Sequence, residues 1–470
     1  MNLLGVDFGT TSLKACLFDE NGTALCTESA KYDLITIGEY VEFPAEEFFN
    51  IFLRVLDKIS SKHKIDAMSI DTQGETLIVL DSAGKPLMNA IIWLDNRAAV
   101  QAEKMEKKFT VKGIYNLTGQ AEIPAGYPAP KIMWLKENMP EIFSKAAHYV
   151  LLEDYIIYRL TGKFAASRSL YSSSLLMNIN TGEYIPEMLD YLGISENQLS
   201  NLLESGEYIG SYNGISISAS ALDQVAAITG AGIVKSGIVS EMTGTSLAVS
   251  TLSETLPEWH EGLSVSAYYV RRGIYCLMMW APTAGATLEW FRNNFCNGDS
   301  YDVLNKLAEE SAEGSEGLIC IPHLCGTIMP ENDSNIKGVF FGITLKHGKG
   351  DFIRAIMESV SYVIKEFLDY IGADVKEIRS LGGGAKSSLW CRIKSAVTQK
   401  KVLTLKENET ACLGSAIFAG MGSGAYADSA AAADKAVETD FIYEMNSRNY
   451  IKLYNEYREK EKRIKEIYDS

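Results

Sequence analysis

Long apolar runs, clustered metal ligands and an excess of basic residues are all missing from this sequence of 470 residues. No apolar run approaches the roughly 18 residues that a membrane-spanning helix needs. Eight cysteines are dispersed without a C-x-x-C pair, and five histidines show no zinc-ligand spacing. The formal net charge of -16 lacks the basic surplus of a nucleic-acid-binding protein. We therefore expect no membrane association, no zinc site and no nucleic-acid partner.

Two sequence signals that would assign the chain to well-known classes are missing as well. The amino terminus lacks the basic segment and apolar stretch of a secretory signal, so we expect a cytoplasmic protein with reduced thiols. The G-x-x-x-x-G-K-[ST] motif does not occur, which excludes a P-loop nucleotide site. What is present is a 47% hydrophobic composition, which at this length predicts two or more domains with sizeable cores.

The chain opens with a strand, a tight turn and a second strand. The apolar run Leu3–Val6 predicts a buried strand ending at Asp7, and Leu13–Phe18 predicts the returning strand. Between them, the turn Gly9–Ser12 combines a missing side chain with three hydroxyls and successive N–H groups, which suits phosphate oxygens. Asp7 is a hard oxygen ligand suited to Mg²⁺. An ordinary glycine-turn hairpin is the alternative for this stretch alone.

The same strand–turn–strand pattern returns in the second half of the chain. Val239–Ser250 reads V-S-E-M-T-G-T-S-L-A-V-S, which is similar to G-V-D-F-G-T-T-S-L-K-A-C near the amino terminus. Internal similarity of this kind predicts two halves of like architecture. A third glycine-rich turn, Gly382–Gly384, follows the apolar strand Ile378–Leu381. Two phosphate-binding hairpins and a glycine-rich turn predict ATP held in a cleft between two lobes.

Hydrophobic periodicity predicts further elements along the chain. We expect a helix over Pro44–Ser61, a strand over Ala67–Thr72, a long amphipathic helix over Asp351–Tyr370 and a terminal helix over Ser447–Tyr468. Residues 113–205 are predicted to be largely helical, with loops.

Taken together, these motifs resemble the FGGY carbohydrate kinases of the actin, Hsp70 and sugar-kinase superfamily. The resemblance extends from Leu3 to about Gly424. It implies an α/β fold of two ribonuclease H-like (actin-like ATPase) domains, over residues 1–236 and 237–470, with the nucleotide cleft between them. ATP and Mg²⁺ are the implied cofactors, and homodimers are common among such relatives.

The resemblance also implies a role for individual residues. The implied ligand of Mg²⁺ is Asp7. The residues implied to bind the nucleotide are Thr10, Thr11, Ser12, Lys14, Gly244, Thr245, Gly285, Gly383, Gly384 and Ser388. The residues implied to bind the acceptor substrate are Gly74, Glu75, Trp93, Asp223 and Gln224. Asp223 is the implied general base, which accepts the proton of the hydroxyl that is phosphorylated.

The implied reaction is transfer of the γ-phosphoryl group of ATP to a hydroxyl of a small sugar, in first place a ketopentose such as xylulose. Xylulose kinases usually carry Met-His-Gly after the glutamine and glycerol kinases carry Arg-Glu-Thr, whereas this chain has Gly74-Glu75-Thr76. A glycine at position 74 predicts room for a substrate longer than glycerol. The alternatives are a kinase of glycerol or a four-carbon polyol and, from another class, an actin- or Hsp70-like ATPase without a sugar substrate.

Several residues keep a structural alternative. Asp223 could cap a helix, Trp93 could belong to the core, and Lys14 could point to solvent instead of to phosphate. Asp95 and Arg97 could form a structural ion pair. Three aromatic residues on predicted strands are assigned to the core, namely Tyr268, Tyr269 and Trp280.

Overall fold

The computed structural model describes residues 1–372 and 374–468. We refer to residues 1–236 as the N-terminal lobe and to the following residues as the C-terminal lobe. The strands of the N-terminal lobe are β1 Leu3–Phe8, β2 Ser12–Phe18, β3 Ala24–Lys31, β4 Ile35–Ile37, β5 Tyr40–Phe43, β6 Ala67–Thr72, β7 Leu77–Leu80, β8 Ala90–Ile91, β9 His148–Leu151, β10 Ala165–Ser167, β11 Met177–Asn178, β12 Glu183–Tyr184, β13 Asn201–Leu203, β14 Tyr208–Tyr212 and β15 Ile215–Ser218. Its helices are α1 Ala45–Ser60, α2 Ala99–Phe109, α3 Val111–Thr118, α4 Pro128–Asn138, α5 Pro140–Lys145, α6 Leu152–Thr161, α7 Arg168–Tyr171, α8 Pro186–Leu192 and α9 Asp223–Gly230.

The C-terminal lobe continues the same alternation of strands and helices. Its strands are β16 Ile238–Thr243, β17 Leu247–Ser253, β18 Ser266–Arg271, β19 Ile274–Ala281, β20 Ile319–Ile321, β21 Val339–Phe341, β22 Glu377–Leu381, β23 Lys401–Leu405 and β24 Thr439–Tyr443. Its helices are α10 Gly285–Phe295, α11 Tyr301–Glu310, α12 Lys349–Ile371, α13 Ser388–Thr398, α14 Thr410–Gly422, α15 Ser429–Ala436 and α16 Arg448–Tyr468.

Each lobe is built on one large mixed sheet, and the two sheets share a plan. The N-terminal sheet has the order β14-β15-β6-β1-β2-β3, and the C-terminal sheet has the order β18-β19-β17-β16-β22-β23-β24. In both, the first strand of the lobe pairs antiparallel with the next strand and parallel with a later one, β6 or β22. The repeated architecture predicted from the two similar turns is therefore present.

The carboxyl ends of the central strands face the junction between the lobes. Strand β1 pairs in register with β6 from Leu3↔Ala67 to Phe8↔Thr72, so the two strands end side by side. Ligand sites of mixed α/β sheets collect at such ends. The same holds for β16 and β22, where Met242 pairs with Leu381.

Helix α14 of the C-terminal lobe packs directly on the N-terminal lobe. A Cβ atom placed on Gly5 of β1 would lie 1.7 Å from the carbonyl oxygen of Cys412. One placed on Gly414 would lie 1.9 Å from the carbonyl oxygen of Ala226, and one on Gly230 would lie 1.9 Å from that of Thr410. Only glycine permits this approach of backbones, so β1, α9 and α14 form one tightly packed junction.

Residues 113–205 are more mixed than the sequence predicts. They contain the helices α3 to α8 in whole or part, as expected, but also the short strands β9 to β13. Strands of two to four residues are too short to show an alternating pattern, which is why they escape prediction. The predicted domain boundary at residues 236 and 237 lies in the loop between α9 and β16 and stays a prediction. Within residues 1–372 and 374–468, no helix has the length and apolarity required to cross a bilayer.

Candidate active site

Two matching turns bring backbone N–H groups to the cleft. In the first, the Gly9 N–H donates to the carbonyl oxygen of Ser12 at 3.0 Å, which leaves Thr10 and Thr11 at the tip. In the second, the Gly244 N–H donates to the carbonyl oxygen of Ser246 at 3.0 Å. Ser12 begins β2 and Thr245 precedes β17, so both turns sit where phosphate oxygens can approach.

Gly285 packs against the second turn and forms a hydrogen bond with it. Its N–H donates to the carbonyl oxygen of Gly244 at 2.9 Å, and a Cβ atom would lie 2.4 Å from that oxygen. The Gly285 N–H is therefore already used inside the protein. In this structure the residue shapes the turn around Gly244 and Thr245, and a direct contact with nucleotide stays a prediction.

The third glycine-rich turn borders a large cavity in the C-terminal lobe. Gly382 has a φ of 74°, a left-handed value that favours glycine, and the turn Gly383–Lys386 then leads into α13. The cavity has a volume of about 740 Å³ and includes Gly382 and the predicted Ser388. That volume suits a small-molecule ligand of nucleoside size. Gly383 and Gly384 lie on the same turn.

Sequence reasoning missed most of the other residues around this cavity. They come from α11, β23, the loop after it and β24, namely Asn305, Lys306, Thr404, Lys406, Asn408 and Phe441. These segments are far apart in the chain and share no motif, so no signal in a single sequence joins them.

Two carboxyl groups, half-buried Asp7 and fully buried Asp71, stand at the ends of β1 and β6, beside the first turn. Asp7 and Asp71 are direct partners at the ends of parallel β1 and β6, close enough for the charge of Asp7 to raise the pKa of Asp71. Burial raises the pKa of Asp7 to about 6 and raises that of Asp71 well above its usual range. Ser415 of α14 donates to Asp71 Oδ2 at 2.6 Å. Asp71 was missed, although a carboxylate at the end of the I-D-T strand mirrors the position of Asp7.

Asp223 begins helix α9 next to this pair. A parallel bridge between Leu222 and Thr72 holds the start of the helix against the end of β6. Burial raises the pKa of Asp223 to about 8, and the charges of Asp7 and Glu75 act in the same direction. The Asp223 side chain accepts a hydrogen bond from the Gln224 N–H at 2.6 Å. The capping position of α9 belongs to Leu222, so Asp223 does not act as a helix cap.

Glu75 lies on a strained turn after β6. Its φ of 66° is unusual for a residue with a side chain and costs about 1–3 kcal/mol, a kind of strain found at functional sites. Burial raises the pKa of Glu75 to about 7, against the opposing effects of a hydrogen bond with Ser173 and the charge of Lys131. Buried Lys131 donates to the carbonyl oxygens of Glu75 and Ile92 at 2.8 and 2.9 Å. Nothing in the sequence indicates that Lys131 contacts this turn.

Polar atoms without partners concentrate in the same segment. The Gln73 side chain is 3% exposed, and neither its amide nitrogen nor its amide oxygen has a partner within the described chain. The hydroxyls of Thr72 and Thr76 and one carboxyl oxygen of Asp71 are likewise unpartnered. Buried polar groups are ordinarily hydrogen-bonded, so this cluster is suited to a polar ligand.

The expectation that Gly74 opens room for a longer substrate is wrong. A Cβ atom on Gly74 would lie 2.8 Å from Leu222 Cδ1 and 2.9 Å from Ser173 Oγ. The volume that a larger side chain would take is therefore filled by the protein itself. Gly74 instead allows the segment before Glu75 to pack against the start of α9.

Trp93 and Lys14 each contact a residue from another part of the cleft. The Trp93 side chain is 41% exposed and donates through Nε1 to Thr10 Oγ1 at 3.0 Å, so it lines the cleft and does not belong to the core. Lys14 pairs with Glu409 of the other lobe at 2.5 Å, an arrangement that neither alternative for Lys14 foresaw. A contact between Lys14 and phosphate requires this ion pair to open.

Of the remaining residues considered in the sequence, Asp95 and Arg97 have a structural role, whereas Tyr268 lies close to the acceptor side. Arg97 forms buried ion pairs with Asp95 and Glu42, both at 2.7 Å, which confirms the structural alternative for Asp95 and Arg97. Tyr268 is buried, as expected, but it lies close enough to Glu75 for the charge of that carboxylate to raise the pKa of Tyr268. The C-terminal lobe thus contributes a side chain to the acceptor side, which a strand position alone could not show.

Comparisons with known proteins agree with this geometry. The model of the N-terminal domain of the FGGY family of carbohydrate kinases matches residues 2–240, and that of the C-terminal domain matches residues 241–423. The chain is 29% identical to a xylulose kinase of Bacillus subtilis, over 90% of this chain and 88% of the relative. It is 30% identical to a gluconokinase of the same species, over 88% and 86%.

A solved structure shows the same architecture over the whole chain. The ligand-bound xylulose kinase from Lactobacillus acidophilus superposes with a TM-score of 0.90 at 25% identity, covering 100% of this chain and 99% of that one. The predicted two-domain fold of the actin-like ATPase type is thereby confirmed. The chain therefore belongs to the FGGY family of carbohydrate kinases and is an ATP-dependent kinase of a small sugar.

Proposed function

We propose that this enzyme transfers the γ-phosphoryl group of ATP to a hydroxyl of a neutral ketose, in first place a ketopentose such as xylulose. The observation that carries the proposal is the position of Asp223. Its half-buried carboxyl group lies within electrostatic reach of Asp7 on the phosphate side and of Glu75 on the acceptor side. A base at this point serves a hydroxyl placed between the two.

The chemistry follows from that placement. Asp223 accepts the proton of the attacking hydroxyl as the new O–P bond forms and the bond to the β-phosphate oxygen breaks, releasing ADP. With a pKa of about 8 Asp223 is a strong base once it is ionised, and the ionised fraction that takes the proton grows as the pH rises towards 8. The turns at Gly9 and Gly244 bind phosphate oxygens through N–H and hydroxyl groups. Glu75 and Gln224 orient the remaining hydroxyls, and Trp93 covers the carbon side.

Mg²⁺ is part of the same proposal. Asp7 and Asp71 present hard oxygen atoms side by side, and one carboxyl oxygen of Asp71 is buried without a partner, which fits a cation of this kind. Asp7 and Asp71 would hold Mg²⁺ there, and the ion would supply neutralisation of the phosphate charge.

The charges of the acceptor side favour a neutral sugar over a sugar acid. Glu75 and Asp223 both approach this side, and each is already destabilised as an anion by burial. Lys131 gives its hydrogen bonds to the carbonyl oxygens of Glu75, Ile91 and Ile92, so it is not available for a ligand carboxylate. A gluconate anion placed here would be repelled by Glu75 and Asp223 whenever they are ionised, and Lys131 would not compensate its charge.

The test is an ADP-release assay over ketoses, polyols and gluconate. We expect the highest kcat/KM with a ketopentose. A preference for glycerol or a four-carbon polyol would support that alternative, and a preference for gluconate would contradict the charge argument. ATP hydrolysis that no sugar affects would indicate an ATPase of the actin or Hsp70 class.

The general base has a test of its own. Asp223→Asn should keep ATP binding, measured by calorimetry, while kcat falls by about 10²–10⁴-fold. Asp154→Asn is a matched control, because Asp154 is a buried carboxyl group that bonds to Tyr171 and Ser200 instead of reaching the cleft. An Asp223→Asn enzyme with near-normal kcat would refute the assignment.

Location and assembly complete the proposal. We infer a cytoplasmic enzyme, since ATP is available there and all eight cysteines are free thiols in the structure. A homodimer is expected from the family resemblance, and light scattering of the purified enzyme measures it.

A further inference from the structure

A fully buried ion pair lies beneath the nucleotide side of the C-terminal lobe. Lys394 Nζ of α13 is 2.6 Å from Glu241 Oε1 of β16, and both side chains are 0% exposed. Glu241 lies in the strand of the second predicted hairpin, but neither residue was predicted to bind a ligand. A lysine and a glutamate are almost never buried completely unless they are paired, so this pair is a specific feature of the lobe.

Hydrogen bonds tie the pair to three elements. Thr243 Oγ1 donates to Glu241 Oε2 at 2.6 Å. The Ser380 hydroxyl of β22 donates to Glu241 Oε1, and Lys394 Nζ donates to Ser380 Oγ at 3.1 Å. Lys394 also lies 5.3 Å from the centre of the Trp390 ring. Strands β16 and β22 and helix α13 are thus joined through one polar cluster.

The cluster is adjacent to both nucleotide turns. Thr243 immediately precedes Gly244 of the second phosphate turn, and Ser380 precedes the glycine-rich turn by two residues. A Cβ atom on Gly384 would lie 2.6 Å from Thr243 Cβ and 3.0 Å from Lys394 Nζ. The glycine-rich turn therefore rests on Thr243 and on the ammonium group of Lys394.

Stability alone does not explain such a pair. Removing two charges from water costs several kcal/mol per ion, and replacing a buried ion pair by apolar residues of similar size is often neutral or stabilising. The pair does, however, hold Thr243 and Ser380 in one fixed relation, and these residues lead into the two turns. A directional polar cluster specifies an orientation that apolar contacts leave looser.

We propose that Glu241 and Lys394 are positioning residues that set the second phosphate turn and the glycine-rich turn at the spacing that the nucleotide requires. This inference rests on the proposed assignment of both turns to ATP. It predicts that loss of the pair weakens nucleotide binding while the acceptor side, whose predicted residues Glu75, Trp93 and Asp223 lie in the other lobe, is unaffected.

The decisive variant is the double substitution Glu241→Met with Lys394→Met. Each single variant leaves an uncompensated buried charge, whereas the double variant replaces the pair by side chains of similar length. We expect a thermal midpoint close to that of the wild type. The Kd for ADP and the KM for ATP should rise about tenfold, equal to about 1.4 kcal/mol, with the KM for sugar unchanged.

Two further variants distinguish a wrong positioning role from a wrong assignment of the nucleotide site. Arg354→Met with Glu358→Met removes another buried ion pair of the same lobe, at 3.0 Å, and should leave ADP affinity unchanged. Ser388→Trp places an indole ring in the cavity of about 740 Å³ and should weaken ADP binding strongly. If Ser388→Trp binds ADP normally, the nucleotide assignment itself is wrong.

With that assignment intact, two results overturn the positioning role. One is a double variant of Glu241 and Lys394 that binds ADP within twofold of the wild type. The other is a double variant that does not fold, because the pair is then required by the fold and not by the nucleotide.

Discussion

Replacing Glu75 by glutamine should move the pH dependence of the enzyme in a defined direction. Glu75→Gln keeps the shape of the side chain and removes one negative charge beside Asp223. That charge is one of the causes that raise the pKa of Asp223 to about 8, after burial and the charge of Asp7. Without it, ionised Asp223 is destabilised less, so its pKa falls and the base becomes active at lower pH.

The size of the shift follows from the order of those causes. Burial remains in the variant, and so does the charge of Asp7, so only the smallest of the three contributions that raise the pKa is lost. We expect a shift of about one pH unit, which corresponds to about 1.4 kcal/mol of interaction between the two carboxylates. The acidic limb should therefore move to lower pH by about one unit.

The assay is kcat/KM for the sugar at saturating ATP, from pH 5.5 to 9.5, in the wild type and the variant. Bound nucleotide adds the same charge to both enzymes, so the difference between their limbs isolates Glu75. The absolute level should fall in the variant because a sugar contact is weakened. Glu122→Gln is the control, since Glu122 does not act on the pKa of Asp223. An acidic limb that stays in place in Glu75→Gln would refute the coupling.

Four further outcomes test the framework around the site. Gly414→Ala should lower stability by about 1–3 kcal/mol in urea unfolding, because the new Cβ would lie 1.9 Å from a carbonyl oxygen of α9. Lys14→Met should change the free energy of unfolding by no more than about 1 kcal/mol, since the interlobe ion pair is about one-third exposed. Lys131→Met should cost at least about 2 kcal/mol, because buried carbonyl oxygens lose their donor. The pKa of Asp223 rises from 3.8 to about 8 on folding, so thermal stability of the ligand-free enzyme should fall as pH rises between these values, and Asp223→Asn should flatten that slope.

Local chemistry made the turns and the central strands predictable. Gly9 and Gly244 each lie in a short turn between two predicted strands, and a missing side chain at such a point has few structural uses. The repeated hairpin then predicted the common plan of the two sheets, which the strand order shows. Family resemblance supplied Asp223 and Glu75, and the structure places both within electrostatic reach of each other.

What escaped prediction depends on contacts between distant segments. Lys131 lies on a helix with no motif, and only the folded chain brings its ammonium group to the carbonyl oxygen of Glu75, 56 residues away. Gly74 appeared to create space because its neighbours were unknown, and the structure fills that space with Leu222 and Ser173. A single sequence shows which side chains are small but not what occupies the volume beside them.

The glycine contacts of α14 have a consequence for how the chain can be divided. The helix comes from the second half of the sequence, yet Gly5 and Gly230 of the first half receive its backbone at atomic contact. A fragment ending at residue 236 would expose that apolar trough, including Leu3 and Ala67, to water. We expect such a fragment to aggregate when it is expressed alone and to become soluble when the complementary fragment is co-expressed. The two halves must therefore be produced together, from one gene or from two.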